Sequence, residues 1–185
     1  MFGYAKAEKK KQVAPETRSG SKIDVYSAGY KAGKKNSFAK ITINGDEIMT
    51  RKQSRRGINL IVLKGSDHSV ILNEHYNTYT KKLEDSARMV KDFKKVPKGS
   101  IVIAAVKDDC QKRLKYSGKR MFMSMGADHI WKIGYKKAWA FIGIKGMKKG
   151  VDKTGKTAEF STILSYVKEV KKTKEVQKVN GGSKI

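Results

Sequence analysis

Cysteine, acidic side chains and long apolar runs are all scarce in this chain, and each scarcity closes off a class of protein. A single cysteine, Cys110, cannot form an internal disulfide. Small basic secreted domains usually carry paired cysteines, so the count points to a reducing, intracellular compartment: cytoplasm or cytoskeleton, with the cilium included. Acidic residues number 17 against 42 Lys and Arg, giving a net charge of +25 and a pI near 10.1. That balance suits an acidic partner such as nucleic acid, anionic lipid or an acidic protein surface. No stretch approaches the roughly 20 apolar residues of a membrane-spanning helix. The lysine-rich start, Met1 to Gln12, lacks the apolar core of a secretory signal. A soluble protein that reaches a membrane only through charge is expected.

Constellations that carry chemistry are equally sparse. His68, His75 and His129 are the only histidines; none forms an i, i+4 pair or stands near cysteine at metal-ligand spacing, which predicts surface or turn positions. Asp108 and Asp109 close a predicted strand, yet acid–base work or metal binding needs convergent partners that the sequence does not supply. Capping of a helix near Gln111 is the expected role for one of them. Cys110 has no recognisable His/Asn partners and reads as an inert thiol. Gly143-Ile144-Lys145-Gly146 and Gly181-Gly182-Ser183-Lys184 lack the phosphate-loop frame. Trp131 and Trp139 are expected in the core. No enzyme activity, cofactor or metal is expected.

What the chain does have is glycine-punctuated apolar blocks: Arg56-Gly57 followed by Ile58–Leu63, Pro97-Lys98-Gly99-Ser100 followed by Ile101–Val106, and Trp139–Gly146. Short apolar runs bounded by turn residues predict strands covered on both faces. Phe38–Ile43 alternates with period two, and Asn44-Gly45 then predicts a tight hairpin with its second arm over Glu47–Thr50. Ser69–Leu72 is a further strand candidate. Leu83, Ala87, Val90 and Phe93 predict a helix that stops at Pro97, and Leu114, Gly118, Met121 and Met125 a second one closed by Gly126. Phe160, Ile163, Leu164, Val167 and Val170 predict a third, C-terminal helix. At 185 residues one domain is the default. Residues 1–37, rich in glycine and lysine, read as a basic arm that stays disordered without a partner. Residues 38–146 read as the folded domain, and residues 147–185 as a linker and basic helix.

In this order and spacing, Arg56-Gly57-Ile58-Asn59, Tyr76-Asn77-Thr78, Pro97–Val102, Lys107-Asp108-Asp109, Met125-Gly126-Ala127 and Ile133-Gly134-Tyr135 through Trp139–Gly146 resemble the interleukin-like EMT inducer domain. That is the module of the ILEI and PANDER cytokine-like proteins, which also occurs in the stem of a protein O-mannose N-acetylglucosaminyltransferase and in hyaluronan-processing surface proteins. The likeness covers about Phe38 to Gly146. It implies an α+β fold of antiparallel sheets packed with helices, and binding of carbohydrate or a cell-surface partner rather than catalysis. This chain departs from the family at its missing disulfide cysteines, at Tyr76-Asn77-Thr78, and at Lys136-Lys137-Ala138, which replaces the acidic–basic pair before the tryptophan. The replacement removes a carboxylate that could accept sugar hydroxyls. The resemblance therefore carries the fold, and the function is sought on the basic surface.

The charge is spread as +7 over residues 1–40, +12 over 41–146 and +6 over 147–185. The folded part is itself basic. Lys9-Lys10-Lys11, Lys34-Lys35, Arg55-Arg56, Lys136-Lys137, Lys148-Lys149 and Lys171-Lys172 are the candidate partner-binding clusters. A shell this cationic repels itself unless a polyanion neutralises it. The expectation is a non-enzymatic structural protein docking on an acidic intracellular lattice, with tubulin and an axonemal microtubule wall as the preferred partner within a large assembly. The alternative is a ribonucleoprotein component, which the excess of Lys over Arg and the core placement of most aromatics argue against. Carbohydrate binding by the resembled module is the third.

Overall fold

The alternating stretch Ser21–Gly29 forms strand β1, and around it nine strands assemble in the computed structural model, which describes residues 20–79 and 84–164. The others are β2 (Phe38–Ile43), β3 (Asp46–Met49), β4 (Gly57–Leu63), β5 (Val70–Tyr76), β6 (Ile101–Asp108), β7 (Ala138–Ile144), β8 (Val151–Gly155) and β9 (Thr157–Leu164). Two α-helices, α1 (Glu84–Lys95) and α2 (Tyr116–Met123), and two 3-10 turns, Tyr30–Ala32 and Lys34–Asn36, complete the described elements.

The strands form two leaves. One runs β3-β2-β1-β9 and the other β5-β4-β6-β7-β8, with every pairing inside each leaf antiparallel. They meet where the end of β1 pairs in parallel with the end of β6, Ala28 against Lys107 and Gly29 against Asp108. Between the leaves lies an aliphatic core that includes Ile23, Val25, Ile41, Ile61, Ile103 and Ala140. The other face of the second leaf is covered by α1 and α2, over a core that includes Met89, Phe122, Trp139 and Phe141. Trp139 and Phe141 stack at 5.6 Å, and Phe122 meets them edge-on at 4.9 and 5.4 Å. Truncating any one of these three to alanine is expected to cost ~3–5 kcal/mol.

The predicted blocks are strands, and the hairpin turns at Asn44 and Gly45, both with positive φ. α+β with mostly antiparallel pairing therefore holds in outline. Three expectations change. Residues 21–37, read as part of an arm, contain β1, the strand shared by β2, β6 and β9. Its polar residues hid it: Asp24 accepts from Thr42, and Ser27 donates to the Val106 carbonyl while accepting from the Trp139 amide. The expected boundary between 37 and 38 thus cuts through a sheet, and so does the one between 146 and 147, because β8 and β9 continue the leaves. The C-terminal helix expected from Phe160 is instead β9 up to Leu164, paired with β1 from Ser21↔Leu164 to Ala28↔Thr157. Apolar spacing there fits either period, and long-range pairing decides. Val167, Val170 and the rest of that expected helix lie outside the described residues, as do residues 1–19.

The helix faces also shift. α1 buries Ser86, Met89 and Phe93, leaving Ala87 exposed, because α2 lies across it. A Cβ on Gly118 would stand 3.1 Å from Met89 Cε and 3.2 Å from Ser86 Oγ. The carbonyls of Phe93, Lys94 and Val96 at the end of α1 accept from the Lys145 ammonium, which satisfies part of the bonding a helix terminus leaves open.

Candidate functional site

The corner where the two leaves join gathers three tyrosines and three cationic side chains. β1 ends at Gly29, where a Cβ would stand 2.5 Å from the Ala138 nitrogen and 2.6 Å from the Lys136 carbonyl oxygen. Only glycine permits that approach, and it sets Tyr30 against Lys136, whose carbonyl accepts from the Lys31 amide at 3.1 Å. Asp108 and Lys136 both adopt left-handed backbone conformations, φ 69° and 58°. That is uncommon for non-glycine residues and clusters at sites where surrounding structure holds the backbone.

Side chains then build the surface. Lys136 Nζ lies 4.1 Å from the Tyr30 ring centroid and 5.0 Å from that of Tyr135. Arg56 pairs through Nε with Asp108 at 2.6 Å, and its guanidinium lies 5.2 Å from the Tyr79 ring. Lys112 approaches the same ring at 5.9 Å. The Tyr79 hydroxyl hydrogen-bonds that of Tyr135. This bond, with Lys136 beside it, holds the Tyr135 hydroxyl below its ordinary pKa and pushes Tyr79 up, while Lys136 is raised by Tyr135. The Arg56 side chain is 47% exposed and Tyr135 51%. The result is a rim of three tyrosines and three cations open to solvent.

The two aspartates divide their work. Asp108 orients Arg56, whereas fully buried Asp109 accepts from the amides of Gln111 and Lys136 at 2.7 and 2.9 Å. Asp109 does cap the backbone at Gln111, but a turn follows and α2 begins only at Tyr116. Acidic groups therefore remain at this corner despite Lys136-Lys137. Cys110, next to it, is fully buried, and burial pushes its thiol up, away from the thiolate a nucleophile needs.

A second polar hollow lies nearby on the far side of Arg56, whose carbonyl meets His75 Nε2 at 2.6 Å. Its cavity of about 390 Å³ is lined by residues including Arg55, Asn59, His75 and Arg88. Arg88 is already held by Glu74, Asp85 and the His75 carbonyl. Elsewhere, Asp152 accepts from the Asp128 and His129 amides, His129 Nδ1 and Trp139 Nε1. These bonds pin the loop after α2 to β8.

Of the residues expected to bind a partner, only Arg56 and Lys136 converge on the corner. Arg55 lines the hollow. Lys137 packs its stem on Gly134. Lys34 and Lys35 occupy an exposed 3-10 turn, and Lys148 and Lys149 an exposed loop. Lys9, Lys10, Lys11, Lys171 and Lys172 lie outside the described residues. Sequence reasoning missed Tyr30, Tyr79, Lys112 and Tyr135. A signal was present, since Gly-Tyr-Lys occurs at residues 29–31 and again at 134–136, the two segments that meet here. One placement needs correcting, since Trp131 is 44% exposed rather than in the core; His68 does lie in a turn, between β4 and β5, although it is buried there. Among the described residues no group of three metal-ligating side chains is found, and no helix is long and apolar enough to cross a membrane.

Residues 56–147 match the sequence profile of the interleukin-like EMT inducer family, ILEI. The chain is 26% identical over 93 residues to Protein FAM3D of Homo sapiens, covering 50% of this chain and 40% of that protein. It is 28% identical over 102 residues to the cell migration-inducing and hyaluronan-binding protein of Mus musculus, and 32% identical over 101 residues to the cell surface hyaluronidase of Danio rerio. Those two alignments cover 55% and 54% of this chain but 7% of each relative, so the chain spans only part of the proteins it matches. A relative named for the cell surface, beside one named for hyaluronan binding, overturns the intracellular, cytoskeletal location expected from the single cysteine. The physical reason is that a sandwich with two packed cores does not need a disulfide staple, so cysteine count carries little about compartment here.

Proposed function

Because this chain belongs, through residues 56–147, to the interleukin-like EMT inducer family, we propose that it is a non-enzymatic binding module whose sheet corner grips an acidic polysaccharide of the hyaluronan type. The observation that carries this reading is the rim of Tyr30, Tyr79 and Tyr135 interleaved with Arg56, Lys112 and Lys136. A uronate carboxylate calls for guanidinium or ammonium donors, and Arg56 is held in place for one by Asp108. Pyranose C–H faces pack on aromatic rings, which combine apolar area with a polar tip. Asp108 supplies an acceptor for sugar hydroxyls. The net charge of +25 attracts a polyanion from a distance without choosing among polyanions; the choice belongs to the corner. The name of the mouse relative, a hyaluronan-binding protein, supports the same chemistry.

The test is retention of the full chain on immobilised hyaluronan, compared with a neutral polysaccharide, RNA and polymerised tubulin at equal ionic strength. Hyaluronan binding that weakens with salt but exceeds RNA binding at about 0.15 M, where the screening length is about 8 Å, is the expected result. Preference for RNA or tubulin over hyaluronan overturns the proposal.

A further inference from the structure

A second aromatic and cationic surface stands on α2 and the loop that follows it, formed by residues the polysaccharide corner does not use. Tyr116 is 64% exposed, Trp131 44% and Met123 38%. They touch one another: the Tyr116 and Trp131 rings are 5.4 Å apart, tilted by 52°, and Trp131 Nε1 donates to the Met123 sulfur. Lys119 Nζ lies 4.9 Å from the Trp131 ring and the Arg120 guanidinium 5.7 Å from that of Tyr116. These are not core side chains left uncovered, since Met121, Phe122, Ile130 and Ile133 beneath them are already buried. Nor is the loop loose, because Ile130 and Ile133 anchor it on either side of Trp131 and Asp152 holds its start. Three apolar tips are thus presented on a fixed platform.

Charge narrows what could cover them. Residues 112–123 contain Lys112, Arg113, Lys115, Lys119 and Arg120 and no acid, and the following loop up to Lys137 has only Asp128. A second copy of the chain, also at +25, is repelled. A polysaccharide would meet the cations but leave Met123 and the outer edge of Trp131 in water. Tryptophan and tyrosine tips ringed by lysine and arginine match a membrane–water interface, where the rings sit among headgroups and the cations meet lipid phosphates and carboxylates.

We propose that this face docks the protein on an anionic lipid surface. Trp131, Tyr116 and Met123 enter the boundary between headgroups and acyl chains, and Lys115, Lys119 and Arg120 contact the headgroups. Docking adds a site to the polysaccharide-binding corner and does not depend on it.

The experiment is co-sedimentation of the full chain with vesicles of phosphatidylcholine alone or with about one part in four phosphatidylserine, at an ionic strength of about 0.1 M where charges beyond about 10 Å are screened. Binding should require phosphatidylserine. Tryptophan emission should shift to the blue on binding, reporting Trp131 because Trp139 is already fully buried. Trp131→Ala combined with Tyr116→Ala should lower vesicle binding about tenfold and leave hyaluronan retention unchanged. Trp131→Phe, a milder change at an exposed position, should abolish the blue shift while the protein still sediments. Lys119→Glu with Arg120→Glu should abolish the phosphatidylserine dependence. Vesicle binding unaffected by the alanine pair, or binding of the unsubstituted chain with no blue shift, overturns the proposal; so does a matching loss of hyaluronan retention, which would make this face part of the polysaccharide site.

Discussion

Two basic regions of similar charge do very different things in this molecule. In the 3-10 turn carrying Lys34 and Lys35, the ammonium groups stand in water. At the sheet corner, Arg56 and Lys136 are set against aspartate and tyrosine where the end of β1 approaches residues 136–138 so closely that only Gly29 fits. A third use appears at Lys145, whose burial lowers its pKa and whose ammonium closes the end of α1. Lysine content therefore says little until each side chain's neighbours are known. The corner is distinguished by its aromatic partners and its fixed backbone, not by its charge.

That contrast can be broken in order of effect. Arg56→Ala with Lys136→Ala should weaken hyaluronan binding about 30-fold, because two charge-assisted contacts are removed together. The thermal midpoint should move little, since both side chains are on the surface. Equilibrium binding and a melting curve measured on one preparation check both halves. Tyr135→Ala should weaken binding about fivefold through loss of ring contact, with the salt dependence unchanged. Lys34→Ala with Lys35→Ala should change binding less than about twofold at 0.15 M salt, where exposed distant charges are largely screened. A larger effect there than at Arg56 and Lys136 would erase the contrast.

The subtlest consequence is spectroscopic. Tyr135 is held below its ordinary pKa first by the hydrogen bond from Tyr79, so Tyr79→Phe should move its titration upward. Ultraviolet difference titration reads this directly, and an unchanged midpoint would mean that Lys136 alone sets it. By the same reading of local environment, Cys110 should resist thiol reagents until the chain unfolds, because it is fully buried with its ionisation opposed.

Much of the central leaf was legible in the sequence because it is written in uninterrupted apolar runs. The block Trp139–Gly146, for example, carries all but the first residue of β7. In the leaf β3-β2-β1-β9 the β2–β3 hairpin was legible too, but β1 and β9 were not, for two physical reasons. β1 carries polar residues whose bonds are satisfied only by strands far away in sequence, as with Ser27 between Val106 and Trp139. β9 carries apolar residues whose spacing fits a helix as well as a strand until β1 lies beside it. The corner inherits this: its cations stood in visible pairs, whereas Tyr30 belonged to a segment without apparent structure and met Tyr135 and Lys136 only through the β1–β6 junction.

The most direct test is residue-resolved amide chemical-shift perturbation of the full chain by a hyaluronan oligosaccharide. Shifts concentrated at residues 29–31, 56, 79, 108–112 and 135–137, saturating together, are expected. Shifts spread evenly over Lys34, Lys35, Lys148, Lys149 and the chain ends, with the corner undisturbed, would contradict it.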